Sequence, residues 1–179
     1  MQVWENLKNY FYRRFLRNKT AYAAISRVPT NYDRARNIGI IIDAGDENHR
    51  AAVIKYAEAL RKDGKNVDIR GFANVATPVD NFPFKTWNTK QLSWSGQLSE
   101  EAGGQFWNTQ YDYLLNLNPT PCQALETVAA LSRAHLRVGA YHAELTDFYD
   151  VMVDLNGGND VQNLIGQIDF YIKKINKNA

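Results

Sequence analysis

Apolar positions recur along this chain with two different periods, and the alternation between them marks out its elements. Residues 2–27 carry Trp4, Leu7, Phe11 and Phe15 at three- and four-residue spacing, which places them on one face of a helix. Lys8 and Arg14 border that face, and Arg13 and Arg17 lie away from it. Pro29 closes the segment, because proline disfavours helix at the residue before it. NIGIIID (37–43) is a short apolar run rich in β-branched residues, as suits a strand buried on both faces. ENHRAAVIKYAEALRKDG (47–64) follows with a helical stripe of Val53, Tyr56, Ala57 and Leu60, and Gly64 supplies its C-terminal stop. NVDIRGFANV (66–75) is the next strand.

After an irregular stretch the pattern resumes. YDYLLNLN (111–118), HLRVGAY (135–141) and DVMVDLN (150–156) read as strands. Between the first two, PCQALETVAALSRA reads as a helix with Thr120 as N-cap and Pro121 at its first position. DVQNLIGQIDFYIKKINK is a last helix with Val161, Leu164, Ile165, Ile168 and Ile172 inward. Strands alternating with helices predict an α/β fold: a Rossmann-like three-layer domain with a mostly parallel five-stranded sheet in the order 2-1-3-4-5. The expected division is a basic amphipathic N-terminal helix and linker (1–36) followed by the α/β domain (37–179). Residues 76–110 form an aromatic insert expected to hold one or two short helices.

Charge sharpens this division. Residues 1–36 hold eight Lys/Arg against Glu5 and Asp33, a net of +6, whereas the remainder holds thirteen against seventeen, a net of −4. A basic helix bearing Trp4, Phe11, Lys8, Arg13, Arg14, Arg17 and Lys19 can lie on an anionic membrane surface. It can equally grip RNA phosphates while Trp4, Tyr10 or Tyr12 stacks on bases, dock on a protein, or simply pack on its own domain. No run of apolar residues is long enough to span a membrane, and arginines interrupt the N-terminal segment where a signal peptide needs an apolar stretch. The expected location is cytoplasmic, with a peripheral position at the inner face of the membrane as the variant the helix allows.

Candidate chemistry is sparse. The single Cys122 excludes an internal disulfide, and His49, His135 and His142 have no metal-site spacing, so no metal and no cofactor are expected. GxGxxG and Walker A patterns are absent. In an open parallel sheet, ligands bind beyond the carboxyl ends of the strands. Those ends carry Asp43, Asp46 and Glu47, then Asn116, Asn118 and Thr120, then Tyr141 and His142, then Asp154 and Asn156. The set is polar and acidic and suits a cation, a sugar or an amine; as a bland alternative, such residues cap helices and make turns. An anion would fit best at the Thr120 helix end. Asp43 with Asp154 is a candidate carboxylate pair, and Cys122 is either a small buried residue or a thiol activated by a helix N-terminus. Lys85, Trp87, Lys90 and Trp94 interleave charge and ring in the insert, as a recognition surface or as packing.

Taken together, the basic aromatic helix, IGIIIDA, VIKYAEALRKDGKNVDIRGF, YDYLLNLN, ALSRAHLRVGAY and DVMVDLN resemble a family of uncharacterised Bacteroidota proteins defined only as a domain of unknown function. A shorter stretch, YDYLLNLNPTPCQALETVAALSRAHLRVGAY, resembles the middle of the first domain of heptosyltransferase-like glycosyltransferases. That resemblance implies a small or degenerate transferase-like enzyme binding a nucleotide or sugar at the strand ends. The residues themselves point first to a non-catalytic binding or adaptor protein that docks through its N-terminal helix.

Overall fold

The computed structural model describes residues 10–18, 27 and 30–174. One six-stranded sheet, parallel at every pairing, runs through the molecule. Its strands are β1 (Asn37–Asp43), β2 (Asn66–Ala73), β3 (Lys85–Asn88), β4 (Tyr113–Asn116), β5 (Leu136–Ala140) and β6 (Val151–Val153). The spatial order is β3-β2-β1-β4-β5-β6, so both the expected count of five and the expected order are corrected. The difference is β3, a four-residue strand from within the aromatic insert that pairs on the outer side of β2. An edge strand needs neither length nor a continuous apolar run, and KTWN has neither.

Helices cover both faces of the sheet, as an all-parallel sheet requires. We label the helical residues 10–18 α1; α2 is Glu47–Lys62, α3 Glu100–Trp107, α4 Gln123–Leu131 and α5 Val161–Ile172. On one face Ile38, Ile40 and Ile42 of β1 pack with Val53, Tyr56, Ala57 and Leu60 of α2 and Leu164, Ile168 and Ile172 of α5. On the other face Ile41 and Leu114 meet the insert aromatics Trp87, Phe106 and Trp107 and the α4 residues Leu125 and Val128. Gly64 adopts φ 77° just after α2, the left-handed turn that glycine makes without steric cost.

Two expected helix details change. α4 starts at Gln123, after extended Cys122, so Thr120 is exposed and is not its cap. Arg27 is not helical; its guanidinium reaches the Ser132 and Ala134 carbonyls at the turn into β5.

The N-terminal helix uses a different face from the one expected. Tyr12 (5% exposed) and Leu16 (0%) are buried, Phe15 is partly buried, and Phe11 is 46% exposed. Tyr12 Oη donates to the Gln123 carbonyl oxygen at 2.7 Å, tying α1 to the first residue of α4. Trp4, Leu7, Lys8 and Lys19 lie outside the described residues. In the insert, Trp87 is buried with Nε1 donating to the Ala102 carbonyl at 3.0 Å, whereas Trp94 is 73% exposed. The expected Lys85–Trp87–Lys90–Trp94 surface therefore loses its first ring to the core.

Because Leu16 is wholly buried in the same cluster as α4, Leu16→Ala is expected to lower the unfolding free energy by about 2–5 kcal/mol. Urea unfolding followed by circular dichroism and tryptophan fluorescence checks this, and one shared, shifted transition is the expected outcome.

Candidate functional site

The sheet changes direction at β1. From β1 the chain crosses over one face to β2, and from the neighbouring β4 it crosses the other face to β5. Such a switch point opens a crevice beyond the carboxyl ends of the two strands. A cavity of about 420 Å³ lies there, lined by Asp43 after β1, Asp46 and His49 at the start of α2, Asn118 and Thr120 after β4, and Asp160 before α5. A second cavity of about 530 Å³ adjoins it through Pro119, Thr120 and Asn159 and extends under Tyr141, His142 and Asp154.

Of the residues expected in the crevice, Asp43, Asp46, Asn118 and Thr120 meet in the first cavity, and Thr120, His142 and Asp154 in the second. Asp43 and Asp154 line different cavities, so they form no carboxylate pair. Asn156 lines neither; at φ 52° it makes the turn after β6, its N–H donating to Asp154 Oδ1 at 2.7 Å. Asn116 is buried behind the crevice.

Much of the polar lining is already engaged. Asp46 Oδ1 caps α2 by accepting from the His49 N–H at 2.7 Å, and both Asp160 oxygens cap α5. Asp43 Oδ1 accepts from the Gly45 N–H at 2.8 Å. His49 Nε2 lies 2.6 Å from the Leu117 carbonyl and His142 Nε2 3.1 Å from that of Pro119, so each ring donates there and braces the loop after β4. The turn and cap bonds of Asp43 and Asp46 use their Oδ1 atoms and not Oδ2, and the exposed Thr120, Asn48 and Asn159 share the lining with them. This leaves an acidic rim at two helix starts, which repels phosphate and suits a hydroxyl or an ammonium.

Behind the floor runs a buried polar chain. The Asp43 N–H donates to Asn118 Oδ1 at 2.5 Å, and Asn118 Nδ2 donates to Asn116 Oδ1. Asn116 Nδ2 donates to Tyr149 Oη at 2.5 Å, and that hydroxyl donates to Glu126 Oε2 at 2.6 Å. Burial pushes the Glu126 carboxyl up to about 7, against the pull of its hydrogen bonds to Tyr149 and Asn116. Tyr149 sits where it does because β5 has glycine at 139: a Cβ there would stand 2.7 Å from its Cε1. Glu126 is not among the candidates the sequence offers, although a lone charged residue in a helix whose other residues are uncharged and mostly apolar is the signal for a buried, paired acid.

Cys122 is no activated thiol. Burial pushes it up to about 11, and the two crevice histidines are engaged with carbonyls. Among the described residues no group of three or more His, Cys, Asp or Glu is placed to hold a metal ion, and no helix is long and apolar enough to cross a membrane.

A family model, the Family of unknown function (DUF6913), matches residues 8–175. The chain belongs to DUF6913. No curated protein and no solved structure matches this DUF6913 chain. Neither the heptosyltransferase resemblance nor the Bacteroidota origin finds support in these comparisons.

Glu126 generates a pH prediction whose sign follows from its raised value. The folded state binds this proton more tightly than the unfolded chain, so its stabilising effect is complete below the ordinary carboxylate range, near 4.5. It is lost as pH rises through about 7. The loss is on the order of 3 kcal/mol. Glu126→Gln is expected to flatten this dependence and to be the more stable protein at about pH 8, read from urea unfolding at about pH 5 and about pH 8. An equally steep dependence in the variant would count against the assignment.

Proposed function

We propose that this is a non-catalytic binding protein whose strand-end crevice takes a small, neutral or cationic polar ligand: an amine, a sugar or another polyol. The observation that carries this reading is the pair of adjoining cavities at the switch point, with the Oδ2 atoms of Asp43 and Asp46 not used in capping. Binding sites in open α/β sheets favour this position, and the acidic rim selects against phosphate. Catalysis finds less support, since the nearest thiol is raised and the histidines are engaged. A transferase-like use of the same crevice would rest on its aspartates alone, with neither the thiol nor the histidines to assist.

A second reading rests on α1. With Tyr12 and Leu16 turned inward, Tyr10 and Phe11 are 56% and 46% exposed alongside exposed Arg13 and Arg14. Pinned by one face, this helix offers a basic aromatic face outward, as an adaptor docking on anionic lipid headgroups would. Arg17 is already paired with Asp147 at 3.2 Å and adds less to that face.

For the crevice, thermal-shift titration with spermidine, hexoses and inorganic phosphate is expected to show stabilisation by an amine or sugar and none by phosphate. A ligand at 100 times its dissociation constant adds about 2.7 kcal/mol. Asp43→Asn with Thr120→Val should abolish the response, and a melting curve indifferent to the whole panel would remove the reading. For α1, sedimentation with phosphatidylserine vesicles is expected to fall with salt and to vanish in Phe11→Ala/Arg13→Gln/Arg14→Gln. Retention by single-stranded RNA alone would move the partner to nucleic acid, and binding to neither would sink the docking role.

A further inference from the structure

A further cavity lies away from the crevice, at the β3 edge of the sheet. Arg70 of β2 and Lys85 of β3 are register partners, so their side chains leave the same face. The next aligned pair on that face, Phe72 and Trp87, packs into the α3 cluster. Arg70 and Lys85 thus stand beside α3 and line a cavity of about 660 Å³ together with Phe82, Trp87, Gln91 and Gln105. That volume lies within the usual range of small-molecule sites, roughly 300–1,000 Å³.

Arg70 is the unusual member. Its side chain is only 18% exposed, yet its Nε is buried with no hydrogen-bond partner. The carboxylate nearest to it in an ion pair, Asp68, has Oδ1 at 3.6 Å from Nε, beyond hydrogen-bond reach, and spends Oδ2 on the Tyr111 hydroxyl at 2.8 Å. The Phe106 ring, 5.7 Å from the guanidinium carbon, supports it from one side. A guanidinium carries five donors in a rigid fork; burying Nε without a hydrogen bond costs free energy, so the fork is held in the cavity wall by packing and by the ion pair with Asp68. Lys85, exposed at the same wall, adds a second positive charge, while Asp80 is the one acidic residue of the lining. The lining itself carries two cations against one carboxylate, with Asp68 paired to Arg70 beside it.

We propose that this cavity binds a small organic anion. Its carboxylate or phosphate is clamped by the Arg70 fork with Lys85 beside it, and its flat apolar body lies against Trp87 and beside Phe82, whose ring is already stacked on Phe84 and covered by the Arg50 guanidinium. The glutamines at 91 and 105 supply neutral polar groups around the rim, Gln91 having already turned its Oε1 to the Asn88 N–H.

Titration of the full chain with benzoate and with phenyl phosphate, read by tryptophan fluorescence and by calorimetry, tests this and separates the two anion types. Benzyl alcohol and benzylamine serve as the neutral and cationic counterparts. Saturable binding of at least one anion is expected, with no binding of the counterparts, roughly tenfold weakening in Lys85→Gln and complete loss in Arg70→Met. Lys85 is exposed, so its variant carries the test if Arg70→Met fails to fold. Absence of saturable binding of either anion to the wild-type chain at millimolar concentration overturns the proposal. Equal binding of benzyl alcohol, or unchanged affinity in Lys85→Gln and Arg70→Met, does the same.

Discussion

Everything in this molecule depends on β1 being dry on both sides. Ile38, Ile40, Ile41 and Ile42 have no exposed surface, and β2 and β4 flank the strand in register. A parallel sheet has no way to leave one face in water, because its crossover connections must lie on the faces. Covering both faces sends the chain from β1 over one side and from β4 over the other, and the crevice is the gap those departures leave. The acidic rim of that crevice follows in turn: two helices of the same layer begin there, and Asp46 and Asp160 cap them.

The buried polar chain is the counterpart of this dry core. Asn118 and Asn116 stitch the end of β4 to the end of β1, and Tyr149 and Glu126 extend the stitching to α4 and to the connection before β6. Each member satisfies the next, which is the condition under which buried polar groups add specificity to a core. Glycine at 39 and 139 is part of the arrangement. A Cβ at Gly39 would stand 2.9 Å from the Tyr111 ring, and one at Gly139 would displace the Tyr149 ring from its hydrogen bonds.

The other five strands were legible in the sequence as short apolar runs, most plainly β1, where burial on both faces writes itself as consecutive isoleucines. β3 was not legible, since its membership comes from pairing with β2 and its side chains alternate between exposed Lys85 and buried Trp87. The face chosen by α1 was also hidden: Phe11 and Tyr12 are neighbours of similar bulk, and the choice falls to the residue whose hydroxyl reaches the Gln123 carbonyl. The crevice positions were readable as strand ends. Which of their oxygens are consumed in capping was not, because helix starts shift by a residue or two, as the cap of α4 shifts from Thr120 to Cys122.

The docking of α1 also has a temporal side. Tyr12 bonds to residue 123 and Arg17 to residue 147, separations of 111 and 130 positions along the chain. During synthesis α1 emerges well before the surfaces that receive it. Until α4 and residue 147 have been made, its apolar side, Leu16 with Phe15, has no native seat. That interval is the part of synthesis in which this helix is open to non-native contacts.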